Sequence, residues 1–216
     1  MREIKHGIFS IFKPTGPTSH DMIDKLRKIT GEKRIGHAGT LDPLASGVLV
    51  VGVGREATKK LMLEVKKEKE YIALIKFGGV SDTDDRQGQI KNTEENNLPG
   101  IGQIKNILED FTGHIKQIPP VYCSVKIKGR PAHRRVRQGE NIQLKAREVY
   151  IKEISIIEYQ WPFLKIKAVT GPGVYIRSLA RDLGERLGVG GYLYELERVR
   201  VGEFDLQSCV NIPERS

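Results

Sequence analysis

Residues 36–47 read Gly-His-Ala-Gly-Thr-Leu-Asp-Pro-Leu-Ala-Ser-Gly, and this stretch limits the fold around it more than any other. Its glycines and proline interrupt both helix and long strand, so it predicts an irregular loop between a basic helical stretch and the apolar run of residues 48–53. The loop carries one acid, Asp42. Pro43 biases the Asp42 backbone towards extended conformations, which restricts where the carboxylate can point. Read alone, an Asp-Pro pair in a glycine-rich loop makes a turn or a cap. A chemical role for Asp42 needs support from the rest of the chain.

Apolar periodicity supplies the frame on either side. Residues 7–13 predict a strand that breaks at Pro14-Thr15-Gly16-Pro17, after which Ser19 is placed to cap a helix over 20–30. Met22, Ile23, Leu26 and Ile29 form its apolar face, and Gly31 stops it. Beyond the strand at 48–53, a short helix is expected over 57–65, a charged solvated connection over 66–70, and a strong strand over 71–77. Residues 81–97 are polar and predict a flexible solvated loop; Asp82, Asp84 and Asp85 lack the spacing of a calcium-binding loop. A helix over 101–111, strands over 121–127, 149–159 and 163–169, a helix over 175–187 and a strand over 192–201 complete the reading. Residues 52–57 have a superficial likeness to a glycine-rich phosphate loop but lack its Gly-Lys-Ser/Thr ending. Strands outnumber helices without alternating strictly with them. The expected class is α+β, a mixed, mainly antiparallel central β-sheet flanked by helices.

A chain of 216 residues suits one large domain or two small ones. It has no run of eighteen apolar residues and no signal-peptide core at its start, so a cytoplasmic protein is expected. Cys123 and Cys209 predict reduced structural thiols, and no metal-ligand spacing occurs, so no metal is expected. The net charge of +9 draws polyanions. Between Lys126 and Arg147, eight of 22 residues are Lys or Arg, among them Lys126, Arg134 and Arg135, against the acid Glu140. So dense a patch suits a phosphate backbone.

Five segments occur in order: residues 13–19 (Lys-Pro-Thr-Gly-Pro-Thr-Ser), 36–43 (Gly-His-Ala-Gly-Thr-Leu-Asp-Pro), Glu70-Tyr71, 119–126 (from Pro-Pro-Val-Tyr to Lys126) and 173–179 (Gly-Val-Tyr-Ile-Arg-Ser-Leu). Together they closely resemble the bacterial TruB family of tRNA pseudouridine synthases, over about residues 7–206. The resemblance implies the pseudouridine synthase fold with its active site in a central cleft. It also implies isomerisation of uridine 55 in the TΨC arm of tRNA, with the target nucleotide flipped out of its loop. The expected organisation is a catalytic domain over 1–210 that includes a basic RNA-gripping insertion at about 119–147, then a tail over 211–216. The family's usual C-terminal PUA-type domain is not expected, and its loss would affect contacts to the acceptor arm.

The chemistry agrees with a cofactor-free site. Breaking the N1 glycosidic bond, turning the base and rejoining it through C5 gains no atom and transfers no electron, so a nucleophile is needed and a redox group is not. Asp42 matches the family's catalytic aspartate, and a free carboxylate with a reference pKa of about 3.9 is ionised at neutral pH. Attack on ribose C1′, attack on base C6 and assistance to the departing base all remain open. Arg177 matches the active-site arginine that pairs with this carboxylate. Tyr71 matches the tyrosine that stacks on the base and takes part in removing the C5 proton. The resemblance further implies His37 as a wedge in the space left by the flipped nucleotide, Tyr175 lining the pocket, Leu196 packing below the base, and Lys13 and Lys59 as phosphate or scaffold contacts. Lys126, Arg134 and Arg135 would grip the T-arm. His133 and Cys123-Ser124 depart from the family pattern, in the gripping region rather than in the chemistry. The expected partner is the tRNA T-arm stem-loop, with no membrane and no obligate protein partner, the protein acting as a monomer. A non-catalytic RNA-binding protein and an enzyme acting on another RNA are the rival readings.

Overall fold

The computed structural model describes residues 6–93, 98–123, 125–127, 129–136, 138–140 and 142–212; the side chains of Lys126, Ile127, Pro131, His133 and Arg134 lie outside the description. The chain runs β1 (Gly7–Lys13), α1 (Ser19–Thr30), β2 (Ile35–Ala38), β3 (Ser46–Val53), α2 (Arg55–Val65), β4 (Lys69–Phe77), β5 (Gly79–Ser81), β6 (Ile90–Asn92) and α3 (Ile101–Glu109). It continues through β7 (Gly113–Gln117), β8 (Lys126–Ile127), β9 (Arg130–Pro131), α4 (Ala132–Val136), β10 (Arg147–Gln160), β11 (Phe163–Thr170), α5 (Ile176–Leu187), β12 (Gly191–Val201) and β13 (Phe204–Asp205). Two compact units result, one of residues 1–72 with 196–216, the other of residues 73–195. Among the described residues no helix is long and apolar enough to cross a membrane.

In the first unit β3 is the central strand. β1 and β2 both pair with it antiparallel, and the end of β12 joins it in parallel through Glu197↔Ser46 and Arg198↔Gly47. Ala38, Val48, Val50, Leu61 and Val201 form a buried cluster beneath α2. Gly52 permits this approach, because a Cβ there would come within 3.0 Å of Leu61 Cγ. In the second unit the strand order is β12-β4-β11-β10-β7, with β10 antiparallel to both neighbours. The sheet is therefore mixed and mainly antiparallel, and the α+β expectation holds. β4 alternates strictly between buried and half-buried positions, so Lys69 and Tyr71 share its buried face.

Several local expectations are corrected. The cap of α1 is Thr18, not Ser19: the Thr18 hydroxyl accepts from the Asp21 amide at 3.1 Å, and the Asp21 carboxylate accepts from the Thr18 amide at 2.7 Å. Asp21 stands three residues after Thr18, the spacing a capping box requires. Ser19 is buried instead, accepting from the Leu41 amide at 2.9 Å and donating to the Leu41 carbonyl at 3.0 Å. Residues 36–38 are strand rather than loop, because β3 offers them a ladder. Residues 66–70 are not all solvated: Lys69 and Glu70 open β4, and Lys69 is buried with its ammonium donating to Val65 O and Lys67 O at 2.8 Å each, satisfying the end of α2. The span expected as a loose loop at 81–97 instead contributes to a β5–β6 hairpin (Gly79–Ser81 with Ile90–Asn92), with Asp85 buried between the strands; residues 94–97 lie outside the described residues. Strand β7 lies where only a helix stop was expected, its ladder supplied by β10. Among the described residues of the strand expected at 121–127, Lys126 and Ile127 form one, by pairing with β9.

Candidate active site

The irregular part of the central loop is residues 39–45, and neighbouring motifs fix it from three sides. The buried Ser19 hydroxyl of α1 holds Leu41 from one side, as above. From the turn after β1, the Gly16 amide donates to Pro43 O at 2.8 Å, while Lys13 shapes that turn by donating to Pro14 O at 2.9 Å and Pro17 O at 2.8 Å. The Ala45 amide closes a turn onto Asp42 O at 3.0 Å. Asp42 is half-buried at the centre of this framework. Two motifs widely separated in the sequence reading are thus one structural element.

From the third side comes Arg198, which was not among the residues singled out by sequence. It is 1% exposed. Its Nε donates to Val48 O at 2.8 Å and its Nη2 to Gly39 O at 3.1 Å. Burial lowers the pKa of its guanidinium, opposed by the nearby Tyr71 side chain and the Asp42 carboxylate, which both favour the charge. The signal was present in the sequence: Leu196 and Arg198 are two apart on a strand and so share a face.

Burial also lowers the Lys13 ammonium to about 8, opposed in part by the charge of Asp42, and it lowers Lys69 to about 8 with help from Arg198. Three buried cations, Lys13, Lys69 and Arg198, therefore gather around the Asp42 loop. Such a cluster is costly to desolvate, and it creates a local positive field suited to a polyanion. Lys13 and Lys69 spend their donors on backbone carbonyls, so Lys13 acts as scaffold.

His37 lies half-buried on β2, edge-on to His20 with ring centroids 5.7 Å apart. Burial, aided by His20 and Arg198, pushes its imidazole down to about 4, which leaves it neutral at physiological pH. Between pH 4 and the ordinary 6.5 the unfolded chain holds a proton that the folded chain lacks, so folding stability rises with pH across that window. His37→Gln should lose this contribution. Urea unfolding at pH 4.5 and 6.5 checks it: the stability gained by the wild type between the two should exceed that gained by the variant, and parallel gains would contradict the assignment.

Leu196 is buried on the same strand face as Arg198. Lys59 projects from the exposed side of α2 and pairs with Glu56 at 2.9 Å. The second unit holds Arg177 and Tyr175. Arg177 occupies the first turn of α5, is 4% exposed, and donates to Thr83 O at 3.2 Å and Tyr122 O at 2.9 Å; its guanidinium stands 3.8 Å from the Asp85 carboxylate. Asp85 in turn accepts from the Thr83 hydroxyl at 2.7 Å and the Gln87 amide at 2.9 Å. One turn on, Arg181 pairs with Asp84 at 2.7 Å, and burial raises the Asp84 carboxyl to about 6. Asp84 and Asp85 therefore anchor Arg181 and Arg177 of α5. Tyr175 is the N-cap of α5, its amide donating to Gln117 Oε1 at 2.9 Å, and it packs on the cluster of Cys123, Val125 and Ala132. Arg135 pairs with Glu140. The side chains of Lys126 and Arg134 lie outside the described residues. Cys123 and Cys209 are both free thiols.

Residues 27–176 match the family model described as TruB family pseudouridylate synthase (N terminal domain), and residues 177–214 match the tRNA pseudouridylate synthase B C-terminal domain. A tRNA pseudouridine synthase B of Corynebacterium diphtheriae is 43% identical over 213 residues, covering 95% of this chain and 71% of that protein. Its counterpart in Clostridium tetani is 35% identical over 209 residues, covering 97% and 72%. Among solved structures, a chain of a Cbf5-Nop10-Gar1 complex superposes with a TM-score of 0.71 at 30% identity, covering 93% of this chain and 50% of that one. A chain of the archaeal box H/ACA sRNP Nop10-Cbf5 complex gives 0.69 at 27% identity, covering 97% and 52%.

Proposed function

Because the chain belongs to the TruB family of pseudouridylate synthases, we propose that it is a tRNA pseudouridine synthase converting uridine 55 of the TΨC arm, with Asp42 as the catalytic carboxylate. The observation that carries this reading is the surroundings of Asp42. A half-buried carboxylate stands on a loop fixed from three sides, near a buried guanidinium whose charge both Asp42 and Tyr71 favour. A binding surface for a phosphate-rich ligand has no use for a carboxylate so held; a reaction that needs an oriented nucleophile does.

The chemistry divides among the residues as follows. Asp42 acts on the target nucleotide as its N1 glycosidic bond breaks, either by bonding to C1′ or C6 or by stabilising the charge that develops. The detached base turns within the site and C5 bonds to C1′. The proton displaced from C5 leaves with help from Tyr71, and N1 gains one, so atoms balance without an added reagent. Arg177 fills the role of the family's active-site arginine, and its fixed bonds to Thr83 and Tyr122 give the guanidinium a set orientation. Reaching a uridine folded into the T-loop requires base flipping. The neutral imidazole of His37 suits a wedge filling the vacated space better than an acid. The basic segment 126–147 grips the T-arm phosphates.

Incubating the purified protein with an unmodified T-arm stem-loop, followed by position-resolved pseudouridine mapping, tests the proposal. Modification of the single uridine that corresponds to position 55 is expected. Absence of product, or product at other uridines alone, would refute it.

A further inference from the structure

We propose that Arg198 is a positioning residue for this reaction, gripping the Asp42 loop at both ends beside Tyr71. The inference rests on the reading that Asp42 and Tyr71 carry the chemistry. A guanidinium has five N–H donors in a rigid fork and no acceptor, so once buried each donor needs a defined partner. Here those partners come from both ends of the loop. Nη2 reaches Gly39 O, where the loop leaves β2. Nε reaches Val48 O, just after the loop enters β3. The main chain of Arg198 lies opposite Gly47 in the parallel ladder, so the residue also meets the loop's far end through its backbone. Tyr71 on β4 and Asp42 both lie near enough to the fork to favour its charge.

One side chain therefore sets the span of the loop from 39 to 48 and places a positive charge near the carboxylate and the phenol. An apolar residue in its place would fill the core and do neither. Gly39 has φ 83°, and a Cβ there would stand 3.5 Å from Nη1 and 3.6 Å from Lys69 Cε. The loop backbone and the guanidinium are thus in close register. Lysine keeps the charge but offers a single point rather than a fork, and it cannot serve Gly39 O and Val48 O together with planar geometry.

The test uses Arg198→Lys in the full chain, with three readings: single-turnover pseudouridine formation on the T-arm stem-loop, affinity for that stem-loop, and the ring-carbon (Cζ) NMR resonances of the labelled tyrosines. A rate lower by ~10²-fold is expected, the usual scale for misplacing a catalytic group by about 1 Å, with affinity within ~3-fold. The Tyr71 resonance should shift while that of Tyr122 stays in place. A rate within ~3-fold of wild type, equal losses in rate and affinity, or an unmoved Tyr71 signal would each overturn the proposal. Should Arg198→Lys fail to fold, Tyr71→Phe removes only the phenol oxygen and should shift the Arg198 Nε–H resonance; an unmoved resonance would also overturn it. If the wild type makes no pseudouridine, the functional reading fails, and the two resonances still decide whether Arg198 stands against the phenol.

Discussion

Asp42→Asn should keep the fold and the affinity for a T-arm stem-loop while lowering pseudouridine formation by on the order of 10⁴-fold or more. The substitution preserves shape and one carbonyl oxygen, so the bonds around the loop are undisturbed: those bonds use the Asp42 main chain and the neighbours Leu41 and Pro43. What it removes is the negative charge and the nucleophilic oxygen. Loss of that charge also takes away the stabilisation that Asp42 gives to the Lys13 ammonium, so Lys13 should titrate still lower in the variant. Single-turnover assays beside a binding titration make the comparison, with thermal unfolding as the control for folding. A rate within tenfold of wild type would remove Asp42 from the chemistry and leave the loop as a structural turn.

Gly47→Ala should cost at least about 3 kcal/mol of folding stability, the range reserved for buried clashes and strained backbone. Gly47 has φ 111°, and a Cβ on it would lie 2.2 Å from Arg198 O and 2.7 Å from Arg198 N. Both neighbours are main chain of the parallel ladder, so neither can swing aside, and the strand joint that carries Arg198 must open. Gly16→Ala supplies the comparison. Gly16 has nearly the same φ, 112°, with nothing within 4 Å of its built Cβ, and should show the conformational strain alone, about 1–2 kcal/mol. Urea titrations of the two variants separate the steric contribution from the dihedral one. Equal losses would mean that the joint between Gly47 and Arg198 yields.

The two substitutions probe different levels of the same loop. Asp42→Asn leaves the framework and removes the reacting group; Gly47→Ala leaves the reacting group and breaks the framework. Arg198 connects the levels, since its main chain forms the joint and its side chain faces the carboxylate.

Elements that carry their own periodic signal were legible in the chain itself. Strands β1, β3, β4, β11 and β12 and helices α1 and α5 follow from apolar spacing and from glycine and proline breaks, because those signals act over a few residues. Their boundaries moved by a residue or two, as with the cap of α1, where Thr18 rather than Ser19 satisfies the first turn. The five motifs likewise sufficed to suggest the family, since their order and spacing need no structure to be read.

The short strands β2, β5, β6 and β7 were not legible, because three to five residues without a strong pattern become strand only when a remote partner supplies the ladder. The buried charges were hidden too. By composition Lys13, Lys69, Asp85 and Arg198 belong on a surface; burial is possible only because carbonyls and amides replace their hydration, from neighbouring turns for Lys13, Lys69 and Asp85 and from segments about 150 residues away for Arg198. The sequence by itself determined that one carboxylate sits in a glycine-rich loop of a mainly antiparallel α+β protein. The tertiary structure alone decided what surrounds that carboxylate, because the Arg198 beside it is 156 residues away along the chain and becomes its neighbour only through the parallel pairing of β12 with β3.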